Sequence, residues 1–336
     1  MLKFQEILKS HGSLSLTEAY ELQKSILENR LPDSELLEIF ALLDRPLELD
    51  EFYGLYKASE EAMVRVGMQL ELLDTCGTGG DGLKTFNIST AAAILCSALG
   101  VPVAKHGNRS ASGQCGSADV LEELGVKIDL NSEQVAKCIE ATGFGFMFAQ
   151  KFHPAFKYAA AARKTFGKRT YFNFLGPLLN PAEAAFRLVG VSDPRMAELM
   201  GKTLIKVGVK KVLVVHSHEG MDEISATGKT DVLEFTPDGK VKKFTINPID
   251  YGFKLVSLAE LTGGDKKLNA EIIRKVLSAE GSAAQTNAVV LNAAAGLVAA
   301  GKTSNYSEAI IMASQAVEQK LGLQKLDEII KFTNQL

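Results

Sequence analysis

The chain's densest chemical signal is one run, Asp74-Thr75-Cys76-Gly77-Thr78-Gly79-Gly80-Asp81-Gly82, closed by Thr85-Phe86-Asn87-Ile88-Ser89-Thr90. Gly77, Gly79, Gly80 and Gly82 free the backbone for positive φ and let successive N–H groups converge on one point. Leu70, Leu72 and Leu73 read as the end of a short strand before the run, and Ala91-Ala92-Ala93-Ile94-Leu95 as a helix after it, with Ser89 or Thr90 as its N-cap. Strand, glycine loop and helix N-terminus together make an anion site, and phosphate is the usual anion. Two better-known loops are excluded. Gly77, Gly79 and Gly82 fit G-x-G-x-x-G, but a dinucleotide site also needs an acidic residue about 20 positions on, where this chain has Lys105 and His106. A Walker loop needs Gly directly before Lys, and here Leu83 separates Gly82 from Lys84.

A second run, from Lys105-His106-Gly107-Asn108-Arg109-Ser110-Ala111-Ser112-Gly113 to Ser117-Ala118-Asp119, pairs two cations with serines and glycines. It supplies hydroxyl and backbone donors with a point charge from lysine. A third is Gly220-Met221-Asp222-Glu223-Ile224-Ser225. Adjacent carboxylates are most often a solvated turn. Beside two phosphate loops they also fit Mg²⁺, which takes one or two carboxylates plus substrate phosphates, with the Ser89 hydroxyl as a further ligand. His216-x-His218 lacks a third His or a Cys nearby and reads as a polar contact. A fourth region holds His153 before a helix, Arg163 near that helix's end, and the turn Asn173-Phe174-Leu175-Gly176-Pro177-Leu178-Leu179-Asn180-Pro181. Arg163 fits either a helix C-terminal cation or a bidentate receptor for a carboxylate. The turn fits a wall for a flat aromatic ligand, or simply a turn.

The elements that must position these residues alternate from Leu70 onward. Strands are expected at Val101–Lys105, Phe144–Ala149, Leu188–Val191 and Val212–Val215, and a hairpin over 232–246 turning at Pro237-Asp238-Gly239. Helices are expected between them and from 268 to the end. Residues 1–70 read as short helices: a capping box at Ser15-Leu16-Thr17-Glu18, a helix capped by Asp33, and one from about Phe52 to Val66. The fold class is therefore α/β, with a small N-terminal helical domain (1–70) and a larger α/β domain (71–336) built on a mostly parallel sheet. In such sheets ligands sit beyond the carboxyl ends of the strands.

The 336 residues allow two domains and a large core. A composition of 46% hydrophobic and 23% charged residues is that of an ordinary globular protein. A net charge of −3 and a pI near 6.0 argue against a nucleic-acid binder. Cys76, Cys96, Cys115 and Cys138 show no C-x-x-C spacing, which suits reduced thiols in a cytoplasmic protein. The N-terminal residues lack the apolar core of a signal peptide, and no apolar run reaches a membrane span.

Taken together, the Gly77–Thr90, Lys105–Asp119, Phe148–Lys157, Arg163–Pro181 and Gly220–Ser225 motifs resemble the anthranilate phosphoribosyltransferase family of tryptophan biosynthesis, in order and over nearly the whole chain. The resemblance implies a helical domain partly completed by C-terminal helices, and a homodimer through the helical part. It implies transfer of the phosphoribosyl group of 5-phosphoribosyl 1-pyrophosphate to the anthranilate amine, with Mg²⁺ and without a membrane or nucleic acid. The phosphoribosyl side would comprise Gly77, Gly79, Gly80, Asp81, Thr85, Asn87, Ile88, Ser89 and Thr90, with Lys105, His106, Gly107, Asn108, Arg109, Ser110, Ala111, Ser112, Gly113 and Ser117 closing over it. Anthranilate would lie near Gly77, His106, Asn108, His153, Arg163 and Pro177. Ser89, Asp222 and Glu223 would hold metal, and Lys105, Asn108 and Arg163 would be catalytic. Pyrimidine nucleoside phosphorylases share this architecture but need neither the Asp222-Glu223 metal pair nor Arg163 for a carboxylate. A nucleic-acid-binding relative would show a basic face and degraded loops. Purine-salvage phosphoribosyltransferases carry paired acidic residues after a hydrophobic strand, where this chain has His216-Ser217-His218.

Overall fold

The computed structural model describes residues 4–110 and 115–336. Four helices come first: α1 (Phe4–His11), α2 (Leu16–Leu27), α3 (Asp33–Leu42) and α4 (Leu49–Glu61). The Ser15 capping box is present, with Glu18 N donating to Ser15 Oγ at 3.3 Å and Ser15 N donating to Glu18 Oε2 at 2.8 Å. Two expected boundaries move. Asp33 is the first helical residue and Pro32 takes the cap position, with no side-chain cap. The Phe52–Val66 helix is instead α4, which stops at Glu61 because the chain then bonds elsewhere: Val64 N donates to Phe152 O and Val66 N to Pro181 O, both at 2.8 Å.

The sheet follows: β1 (Leu73–Gly77), then α5 (Ile88–Ala98), β2 (Val103–Gly107), β3 (Phe144–Phe148), β4 (Phe186–Gly190), β5 (Lys211–Ser217), β6 (Thr230–Phe235) and β7 (Val241–Ile246). The seven strands lie in the order β3-β2-β1-β4-β5-β6-β7. The first five named are parallel to one another, and β6 and β7 are antiparallel. The β6–β7 hairpin turns through Gly239 at φ +78°, as its Pro-Asp-Gly sequence predicts. Strand β1 does not end at Leu73 but begins there, and Asp74 through Gly77 pair with Arg187 through Gly190 of β4. The strand expected to end at Lys105 runs on as β2 through His106 and Gly107, in register with Met147 and Phe148, so these two are not the opening of a loop.

The parallel strands are apolar on both sides because both faces are covered. On β5, Leu213 and Val215 join the core under α5 and the small-residue helix Ala283–Ala299, whereas Val212 and Val214 join a second core with the N-terminal helices. Ala91, Ala92 and Ala93 are fully buried, and α5 approaches the Ala283–Ala299 helix closely because Gly296 leaves room for Cys96 Sγ. The resemblance implies that C-terminal helices complete the helical part. The second core instead draws on the middle of the chain, from Ala159 through Leu179 and Val189 through Val214, while the C-terminal helices cover α5.

Helices α2 and α4 cross where Gly54 has no side chain. A Cβ there would overlap Leu16 O and come within 3.0 Å of Ala19 Cβ and Tyr20 N, all of them rigid neighbours. Gly54→Ala is therefore expected to cost about 1–3 kcal/mol by overpacking, read as a lowered midpoint in thermal or urea unfolding. An unchanged midpoint would contradict the α2–α4 contact.

Candidate active site

The chain runs outward from β1 to β2 and β3, then returns to β4 on the other side of β1. The crevice beyond the carboxyl ends of β1 and β4 is thus the switch point where such sheets place ligands. Gly77 and Gly190 end the two strands opposite each other, and Thr78 N donates to Gly190 O at 3.0 Å. A Cβ on Gly77 would overlap Asp222 Oδ2, and one on Gly190 would overlap Asp222 O. Asp222 therefore lies directly on the strand ends. Its Oδ2 accepts from Gly79 N at 2.7 Å, and Glu223 Oε1 accepts from Ser89 N at 3.2 Å. Gly79, Gly80 and Gly82 have φ of 65°, 67° and 78°, the conformation their sequence was read to require.

Ser89 and Thr90 are not the N-cap of α5. The helix begins at Ile88 with Asn87 in the cap position, and Asn87 caps nothing. Its side chain instead donates to Cys115 O at 3.2 Å and accepts from Asn269 Nδ2 at 2.9 Å. The uncapped first turn turns its Ser89 amide to the Glu223 carboxylate, the favourable end of the helix dipole for an anion. Ile88 is fully buried in the core, so it offers the site only backbone. Thr85 bridges to Thr262, and Thr90 Oγ1 is buried with no partner among the described residues.

Asp222 and Glu223 sit close to Asp81. Burial and then Asp81 raise the Asp222 carboxyl above its ordinary range, and burial and then Asp222 raise Glu223. Lys105 lies beneath them, 1% exposed, its Nζ donating to Thr75 O at 2.5 Å and Ser89 Oγ at 3.3 Å. Burial lowers its pKa, opposed by Asp74, Cys76 and Glu223. The result is a group of hard oxygen donors (Asp81, Asp222, Glu223 and the Ser89 hydroxyl) with one buried ammonium as the nearby cation.

On the other flank of β1, His106 Nδ1 is 2.7 Å from Asp74 Oδ2 and its Nε2 is 2.9 Å from Gly176 O. His153 Nε2 donates to Leu179 O at 3.1 Å, leaving Nδ1 buried without a partner among the described residues. Burial and then His106 push His153 down to about 3, so it is a neutral ring near pH 7. Pro177 joins this flank to the glycine loop, since Cys76 Sγ donates to Pro177 O at 3.3 Å. Arg163 is half-buried over the Phe172 ring, 5.1 Å from its centroid, with a 3.4 Å bond to Asn173 Oδ1. No carboxylate pairs with it among the described residues, and burial disfavours its charge.

The second run is only partly drawn in. Ser117 Oγ lies against Gly107, where a Cβ would overlap it. Asn108 is exposed, with Oδ1 accepting from Arg109 N at 2.8 Å. Arg109 is turned to Asp119 and Glu122, each at 2.9 Å, and Ser110 N donates to Asp119 Oδ2 at 3.1 Å. Ala111, Ser112 and Gly113 lie outside the described residues. His216 donates from Nδ1 to Val191 O at 2.7 Å and His218 faces Asp231 at 3.2 Å, the polar contacts expected of them.

Sequence reading passed over four residues that shape the site. Arg169 donates to Gly79 O at 2.5 Å and to Ser192 Oγ at 2.7 Å, clamping the glycine loop from outside. A Cβ on Gly80 would overlap this guanidinium. Asn292 pins the acidic turn to the Ala283–Ala299 helix, accepting from Ile224 N at 2.9 Å and donating to Ile224 O at 2.8 Å. An Asn within the otherwise apolar stretch from Ala288 to Ala299 was the available signal. Asp74 and Arg187 are the other two, a fully buried pair at 3.1 Å. Burial alone would raise Asp74, but His106 and Arg187 outweigh it and hold the carboxyl well below the usual range. Asp74, Cys76 and His106 come close enough together to suggest a metal cage, but Arg187 already neutralises Asp74.

The profile of the Glycosyl transferase family, a/b domain, matches residues 69–320. Anthranilate phosphoribosyltransferase of Pelotomaculum thermopropionicum is 42% identical over 96% of this chain and 94% of its own length. The chain belongs to the anthranilate phosphoribosyltransferase family. The Petrotoga mobilis member is 41% identical over 98% of this chain and 96% of its own. Among solved members, the Thermus thermophilus enzyme superposes with a TM-score of 0.92 at 36% identity, covering 99% of this chain and 100% of its own. The Saccharomyces cerevisiae enzyme, solved in complex with phosphoribosyl pyrophosphate and Mg, gives 0.90 at 27% identity over 99% and 97%.

The tightest tolerance in the site of this family member is the Asp222 backbone on Gly190. Gly190→Ala must displace the acidic turn, and a shift of about 1 Å costs on the order of a hundredfold in rate. The expected outcome is that loss in kcat/KM with a near-native circular dichroism spectrum. Full activity would show that Asp222 does not need this seat.

Proposed function

We propose that this protein transfers the phosphoribosyl group of 5-phosphoribosyl 1-pyrophosphate to the amine of anthranilate in tryptophan biosynthesis. The amine nitrogen attacks ribose C1, the bond from C1 to the pyrophosphate oxygen breaks, and the amine gives up one proton. The observation that carries the reading is a complementary pair of charge deficits, which the proposal assigns to one crevice. Oxygen donors crowd beneath the glycine loop with little countercharge, and on the Pro177 side a half-buried Arg163 has no carboxylate partner among the described residues. The first suits a cation with a pyrophosphate; the second suits a carboxylate of a flat ring.

Asp222, Glu223 and the Ser89 hydroxyl, with Asp81 beside them, fit Mg²⁺, a hard cation that takes carboxylate oxygens together with substrate phosphates. When bound, the ion offsets charge building on the leaving pyrophosphate. Gly77, Gly79, Gly80, Asn87 and Thr90 line the phosphoribosyl side. Lys105 acts from below, as a fixed positive charge under Thr75 and Ser89 that favours the anionic end of the transition state. Arg163 orients the anthranilate carboxylate, and the neutral His153 can accept from the amine. An aromatic amine is already a neutral nucleophile, so positioning does most of the remaining work. Asn108 and Ser117 belong to the phosphoribosyl side, and Arg109 joins them only by leaving Asp119 and Glu122.

The helical portion, residues 1–70, is the proposed homodimer surface, joined by the mid-chain segments that share its core. A cytoplasmic location agrees with four free cysteines. No helix among the described residues is long and apolar enough to cross a membrane.

The test is the fluorescence of anthranilate mixed with the purified protein, phosphoribosyl pyrophosphate and Mg²⁺. Decay should require all three and stop on chelation; phosphate-dependent cleavage of thymidine or uridine instead would move the chain to a phosphorylase. Metal binds the ionised carboxylates, and these are held protonated at low pH. The Mg²⁺ concentration giving half-maximal rate should therefore fall as pH rises from about 6 to about 8, the span set by Asp222 and Glu223. A second expectation concerns Arg163→Ala. It should raise KM for anthranilate by roughly tenfold to a hundredfold, the loss of a charge-assisted contact, and leave phosphoribosyl pyrophosphate binding intact. A loss confined to the phosphoribosyl side would overturn the assignment.

A further inference from the structure

Four successive carbonyls, those of Gly176, Pro177, Leu178 and Leu179, each receive a side-chain donor from a different part of the chain. His106 Nε2 reaches Gly176 O at 2.9 Å, and Cys76 Sγ reaches Pro177 O at 3.3 Å. Arg187 donates to Pro177 O through Nη2 and to Leu178 O through Nη1 at 3.0 Å. His153 Nε2 reaches Leu179 O at 3.1 Å. The turn has no strand or long helix to fix it; burial of Leu178 and Leu179 seats it in the second core, and these donors fix its carbonyls. Two of them, His106 and Arg187, converge on one anion, Asp74 Oδ2, at 2.7 and 3.1 Å. Asp74 lies on β1 three residues before Gly77, at the root of the glycine loop.

We propose that the buried Asp74–Arg187 pair is a positioning device for the acceptor, tying the Gly176–Leu179 wall to the strand that carries the phosphoribosyl loop. The proposal rests on anthranilate occupying the Pro177 flank, as read above. Its argument is one of economy. A buried ion pair is a poor source of stability, because apolar residues of like volume often serve as well or better. Here the cost is higher still, since Arg187 Nε is buried without a partner among the described residues. What the pair supplies, and an apolar pair would not, is a forked donor that holds two adjacent carbonyls at a fixed distance from β1. In-line attack on ribose C1 demands that kind of fixed distance between the two substrates. Arg187 and Asp74 touch neither substrate in this reading; they act through the wall.

Two variants of the full-length protein test it. Arg187→Lys keeps a charge for Asp74 but loses the fork. The double variant Asp74→Asn with Arg187→Met removes both ions together and keeps an amide oxygen for the buried His106 Nδ1–H, so neither an unpaired charge nor a lost His106 bond is left to unfold the chain. Steady-state kinetics by anthranilate fluorescence is compared with calorimetric binding of phosphoribosyl pyrophosphate and with the thermal midpoint. The expected result is KM for anthranilate raised roughly tenfold or more in both variants. Binding of phosphoribosyl pyrophosphate should stay within about twofold, and the double variant should melt near the wild type. Unchanged anthranilate KM in a folded double variant would overturn the proposal. So would equal losses on both substrates, which mark a purely structural pair. Wild-type protein that binds phosphoribosyl pyrophosphate yet leaves anthranilate untouched would remove the acceptor reading and this proposal with it.

Discussion

The structure depends on the absence of two side chains. Asp222 can rest on the ends of β1 and β4 only because Gly77 and Gly190 carry no Cβ. That single close approach brings together three segments distant in sequence: the glycine loop, the start of α5 and the acidic turn after β5. Each is then held by the others. Gly79 N bonds to Asp222, Ser89 N to Glu223, and Asn292 fixes the turn from the opposite side. The sheet places this junction between β1 and β4, where the strand order reverses. The crevice follows from the topology, and the glycines decide how deeply the carboxylates enter it.

Charge is distributed unevenly around that crevice. Arg187 and Asp74 neutralise each other inside the protein, and Arg109 is satisfied at its surface by Asp119 and Glu122. Among the described residues, Lys105 is the cation beside Glu223, and Arg163 meets an amide and an aromatic face. Burying such unbalanced groups is unfavourable. In the proposed reading, a metal-bound pyrophosphate and a carboxylate would relieve both.

Much of this was legible in the sequence, and the reasons differ by residue. Gly79, Gly80 and Gly82 could be read because positive φ is a local demand with a local signature. Asp222-Glu223 stood out because adjacent carboxylates beside phosphate loops need a cation. The β5 run, apolar at every position, announced a strand covered on both faces. Asp74, Arg187, Arg169 and Asn292 could not be read, because each is a single polar residue whose meaning comes from a partner far along the chain. The N-cap of α5 was misplaced for a related reason. Asn87 sits where a cap belongs, but tertiary bonds to Cys115 and Asn269 take its side chain. His106 and Gly107 were assigned to a loop by composition, and pairing with β3 extends the strand that Lys105 was expected to end through both of them.

The hairpin between β6 and β7 has one more consequence. Strand β6 runs opposite to β5, pairing Thr230 with Ser217 at the crevice end and Phe235 with Val212 at the far end. The exposed residues 237–240 therefore lie at the pole of the sheet opposite the chemistry. The tip is polar and bonded mainly to itself, through Thr236, Asp238 and Lys240. Such tips tolerate insertions. This one is a handle by which the molecule can be tethered to a surface, labelled or fused to another protein while the crevice stays open to solvent.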